Sequence, residues 1–143
     1  MDIFTLGRPT ALRPEDRVAD ACLWVRDNGT TFKRLMRIAH EQVDSGNPCL
    51  RRGDVARIAT EMGFSVSNVD ELRFDNNLWA VLTRLMVMLR PRLARCLHFR
   101  KADVDMVDIQ AEWRRTVNAN TTFLASSWQD AKRLCELGDA SAR

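Results

Sequence analysis

The chain has 143 residues and a formal net charge of +3, with 29% charged and 45% hydrophobic residues, no Tyr, six Gly and four Pro. This length suits one domain with a core of its own, and the scarcity of alternating apolar runs favours helices over a large sheet. Disulfide-framed, zinc-stapled and membrane-spanning classes are excluded: the four Cys form no CxxC pair, only His40 and His98 could join them as ligands, and no apolar run reaches the ~18 residues of a span.

The first 13 residues read as an irregular arm without the basic start and apolar run of a secretory leader, so a cytoplasmic location is expected. Pro14 followed by Glu15 and Asp16 opens a helix with Val18, Ala21, Cys22 and Val25 on one face. Asp27-Asn28-Gly29 ends it. A second helix follows from Thr30 or Thr31, with Phe32, Leu35, Met36, Ala39 and Val43 as its apolar stripe, and Ser45-Gly46-Asn47-Pro48 stops it.

Residues 55–74 carry the apolar template of a helix-turn-helix: Ala59 at a close crossing, Gly63 at the turn, and Ile58, Val69 and Leu72 as the seal. The second helix of that pair would present Ser65, Val66, Ser67, Asp70, Glu71 and Phe74, and its carboxylates make it a poor partner for phosphate. The next helix, residues 75–90, is the better reader in a winged-helix arrangement. Leu78, Leu82, Leu85 and Leu89, with Trp79 and Met86, would point to the core. Asn76, Asn77, Ala80, Thr83, Arg84 and Val87 are assigned to the outer face. An ordinary helix start capped by Asp75, with Arg84 solvated, fits the same residues.

Charge singles out this region. Between Asn76 and Ala102 there is no Asp or Glu, whereas Arg84, Arg90, Arg92, Arg95, Arg100 and Lys101 supply six cations. The rest of the chain is neutral or slightly acidic. Such a surplus is the footprint of a nucleic-acid surface, in which Asn76, Asn77 and Arg84 would approach base edges while Arg90, Arg92, Arg95, Arg100 and Lys101 hold phosphates. Residues 98–107 could form a small wing; alternatively 92–99 continues as a helix.

Past Asp103 two amphipathic helices are expected. Met106, Ile109, Trp113, Thr116 and Val117 share the first, and Leu124, Ser127, Trp128, Ala131, Leu134 and Cys135 the second, capped by Thr121 or Thr122 and ended by Gly138. The expected organisation is therefore an N-terminal arm (1–13), one helical domain (14–137) and a tail (138–143). Within the domain, 30–102 form a helix-turn-helix or winged-helix-like core and 103–137 the C-terminal helices. The fold class is all-α, a compact multi-helix domain.

The stretch from Val69 to Asp105 resembles a group of small proteins encoded by bacteriophages and other mobile elements. Phe74, Asn76, Asn77, Arg84, Pro91, Leu93, Arg100, Lys101 and Asp103 stand at the positions that carry the resemblance, and residues 30–46 are similar to the group's opening helix. Ala102 departs from the Ser found in many members, and residues 106–143 extend beyond the similar region. The resemblance implies a mobile-element origin rather than a mechanism.

No Ser-His-Asp context, Gly-rich phosphate loop or carboxylate-rich metal motif is present, so no enzyme activity, metal or cofactor is expected. Asp103, Asp105, Asp108 and Glu112 read as helix-start carboxylates. The leading expectation is a small protein that binds double-stranded DNA as a regulator or accessory factor. The alternative is an inhibitor or adaptor whose basic face docks on a host nuclease or CRISPR complex. A homodimer through the C-terminal helices is the third reading.

Overall fold

The computed structural model describes residues 13–63 and 76–140. Among them are six α-helices and no strand: α1 (Pro14–Asp27), α2 (Gly29–Asp44), α3 (Val55–Glu61), α4 (Asn76–Leu89), α5 (Ile109–Thr116) and α6 (Trp128–Ala140). Short 3-10 turns cover Arg52–Asp54, Pro91–Arg95 and Asp103–Met106. The all-α class holds.

The helix ends follow from local chemistry. Pro14 supplies a fixed φ and lacks the amide that the first turn of α1 would leave unpaired. Asn28 separates α1 from α2: its amide reaches the Trp24 and Val25 carbonyls and its side chain donates to Trp24 O at 2.9 Å. The chain leaves α2 through Gly46 at φ 82°, a left-handed conformation that costs glycine little. Asp108 caps α5 by accepting from the Ala111 amide. Ser127 does so for α6 by accepting from the Asp130 amide at 3.1 Å, so the cap lies several residues beyond Thr121 and Thr122. Gly138 does not end α6, which continues to Ala140.

Among the described residues α4 is the most deeply buried helix. Leu78 and every residue from Val81 to Met88 are buried. Its fourteen residues carry a single charged side chain, and a helix apolar all round is stable only when it is covered all round. The cover consists of α1, α6 and the Pro91–Arg95 turn, while α5 and the Asp103–Met106 turn close over α1. Leu93, Cys96 and Leu97 complete the floor. Burial pushes the thiol of Cys22 up to about 12 and that of Cys96 up to about 11, which keeps both as neutral hydrophobes.

Three expectations change here. Residues 98–107 form no wing: 97–102 run without regular structure into the Asp103–Met106 turn, whose first-turn carboxylates favour it. Nor does a helix continue through 92–99; Pro91 opens a 3-10 turn that stops at Arg95. Met106 belongs to the turn before α5 and is 89% exposed, so the apolar stripe of that helix begins at Ile109. Of the helix-turn-helix, α3 and the turn at Gly63 (φ 81°) are described; Ser65 to Phe74 lie outside the described residues. Among the described residues no helix is long and apolar enough to cross a membrane.

Candidate functional site

The basic segment divides into parts with different fates. Arg84, assigned by spacing to the outer face of α4, is 4% exposed. Its Nε donates to Asp105 Oδ1 at 2.6 Å and its Nη2 to Asp105 Oδ2 at 3.2 Å, the fork-to-fork geometry in which guanidinium and carboxylate are strongest. The remaining donors reach Ala80 O at 2.9 Å and Arg100 O at 2.7 Å. Phe99 lies 5.5 Å under the guanidinium and stacks in turn on Trp128 at 5.1 Å. Four of the five N–H groups are thus committed within the protein, and no base edge can reach them.

Asp105 responds to the same contacts. Burial alone would raise its pKa, but the hydrogen bonds from Arg84 and from the Ala102 amide outweigh it and hold the carboxylate below its ordinary value. The outer face built from Asn76, Asn77 and Arg84 is accordingly replaced by a buried ion pair joining α4 to the 97–106 segment. Asn76 remains exposed and Asn77 half-buried at the start of α4, two helical turns from Arg84.

Within the basic segment the exposed cations are Arg90, Arg92, Arg95, Arg100 and Lys101. Arg90 and Arg92 follow the end of α4 and meet α2. Arg92 donates to Asp44 at 2.6 Å and contacts His40 Nδ1 at 2.8 Å. Arg90 donates to Leu89 O at 2.8 Å and lines a groove with Arg26, Lys33 and His40. Burial lowers the His40 pKa below 6.5, and the charges of Arg92 and then Arg90 lower it further against the opposing pull of Asp44. Five basic side chains from three separate stretches of sequence therefore converge at one end of the molecule. Two carboxylates answer them, Asp44 on Arg92 and Asp27, which accepts from Arg26 at 3.1 Å.

The groove encloses about 530 Å³. One wall is the end of α1 and the first three turns of α2, the other the end of α4, Trp113 of α5 and the following loop. The walls are rigid where they meet: Phe32 packs on Trp113 with ring centroids 5.6 Å apart, and Trp113 Nε1 donates to Thr121 Oγ1 at 2.8 Å. The acid-free stretch of sequence identified Arg90 and Arg92, but the count of charge missed Arg26, Lys33 and His40. The available signal was the run of basic residues along the solvent side of α2, which balanced to zero when charge was counted over the first 50 residues.

A smaller polar cavity of about 130 Å³ lies against the Arg84–Asp105 pair and is lined by Asp108, Gln110, Ser126, Ser127 and Trp128 among others. The indole N–H of Trp128 helps hold the Asp105 carboxylate down without closing a conventional hydrogen bond. Among the described residues no group of three or more His, Cys, Asp or Glu is placed to hold a metal ion. Compared with family models, with curated proteins and with solved structures, the chain matches none.

Proposed function

We propose that the protein is a small non-enzymatic nucleic-acid-binding protein of phage or mobile-element type, one that holds duplex DNA by its phosphates rather than reading bases. The supporting observation is the convergence of four cations, Arg26, Lys33, Arg90 and Arg92, around His40 at one end of the helical domain. Cations gathered from α1, α2 and the end of α4 can track a phosphate backbone, whose contacts position a protein without conveying sequence. Burial of Arg84 removes the side chain best suited to pair with guanine, so sequence preference in this reading is weak. Helix-turn-helix packing of α3 with the segment after it is not required, because the cations lie elsewhere.

The test is a titration of the purified chain against labelled duplex DNA over a range of salt concentrations. Log affinity is expected to fall with log salt by about 0.9 per phosphate engaged, and a Lys33→Ala, Arg90→Ala variant to flatten that slope by about two phosphates' worth on every sequence tried. Absence of binding at low salt overturns the reading. The acidic surface of a host protein, such as a nuclease or CRISPR complex, then becomes the partner to seek.

A further inference from the structure

We infer that the groove between α2 and the end of α4 is a binding site for a free amphiphilic monoanion, a small molecule with an apolar body and a single carboxylate-type head. This inference goes beyond the nucleic-acid reading and does not rest on it. Its volume of about 530 Å³ lies within the ~300–1,000 Å³ usual for small-molecule sites. The floor is apolar: Val25, Phe32, Met36, Leu89, Trp113 and Val117. The charged lining is of one sign, with Arg26, Lys33 and Arg90 present and no carboxylate among the lining residues.

The availability of those cations decides the ligand's charge. Among the described residues Lys33 forms no ion pair and Arg90 donates only to the Leu89 carbonyl beside it, which leaves most of its guanidinium for an acid head. Helix dipoles oppose an anion here, because α1, α4 and α5 end at the groove and α2 alone begins there. Each end carries only about half a charge, against whole charges on the side chains. Their carbonyls are also already occupied: Trp24 O by Asn28, Met88 O by the Leu124 and Ala125 amides, and Trp113 O by the Val117 amide at 2.7 Å. Cations therefore dominate the local potential, and the apolar floor selects against a fully hydrophilic anion such as inorganic phosphate.

Calorimetry with octanoate as the probe and 1-octanol as its neutral counterpart tests this without any DNA. Octanoate is expected to bind one site saturably and at least about tenfold tighter than octanol, the margin of a charge-assisted hydrogen bond. Lys33→Gln with Arg90→Gln, both on the surface, is expected to weaken octanoate by about tenfold or more while leaving octanol unchanged. Val117→Trp, which fills the groove, is expected to remove binding of both; circular dichroism checks that each variant is folded. Equal affinity for octanoate and octanol, octanoate affinity unchanged in the double variant, or no octanoate binding to the folded wild-type chain overturns the proposal.

Discussion

Replacing Asp105 with Ala is expected to lower the unfolding free energy by about 3–5 kcal/mol, the usual consequence of stranding one member of a buried ion pair. Arg84 would keep its place among the apolar side chains of α4 with no carboxylate to accept from Nε. The Ala80 and Arg100 carbonyls would still accept from it, but neutral oxygens do not balance a formal charge. Urea denaturation followed by tryptophan fluorescence measures the loss.

Two controls separate charge from packing. Arg84→Met combined with Asp105→Leu removes both charges and is expected to recover most of the stability, since buried pairs are often no better than well-packed apolar residues of similar size. Acid provides the second control. Because the folded-state pKa of Asp105 is depressed, its contribution is present above the ordinary carboxylate value near 4 and is lost as pH falls through the folded value. Wild type should therefore lose stability toward Asp105→Ala as the pH is lowered below about 4.

Leu85→Ala is expected to cost about 2–5 kcal/mol in the same assay. Leu85 is fully buried in the middle of α4, between Leu82 and Met86, which are equally buried. Three separate elements, α1, α6 and the Pro91–Arg95 turn, pack on α4, so closing the space would require them to move together. A site that relaxes little retains its cavity, so the cost should fall in the upper part of that range.

The positions of α1 and α2 were legible because proline, the Asn-Gly turn and the Ser-Gly stop act locally, on residues next to them in the chain. The apolar stripes of those helices were legible for the same reason, since period alone reports a face that meets a core. The environment of α4 was not. Its period marked Leu78, Leu82 and Leu85 correctly, but assigning Thr83, Arg84 and Val87 to solvent assumed a helix buried on one side. A second signal pointed the other way: a lone Arg in a stretch with no other charge requires a carboxylate from a distant segment, and Asp105 comes from 21 positions away. Pairings of that range depend on the tertiary fold, which periodicity does not encode. The cation cluster was half legible for a related reason. Arg90 and Arg92 stood out in a segment free of acids, whereas the cations of α1 and α2 were cancelled in the count by acids of the same stretch, among them Asp27 and Asp44, which pair with Arg26 and Arg92.

The claim on which the functional reading depends is that Arg90 and Arg92, beyond the end of α4, bring their charge onto α2. His40 reports it directly, and the decisive measurement is its NMR titration in wild type and in Arg90→Gln. The structure predicts a His40 pKa below 6.5 in wild type and an upward move in the variant, because one of the cations that oppose its protonation has been removed. A wild-type value at or above 6.5 that is unmoved by the substitution would contradict the convergence.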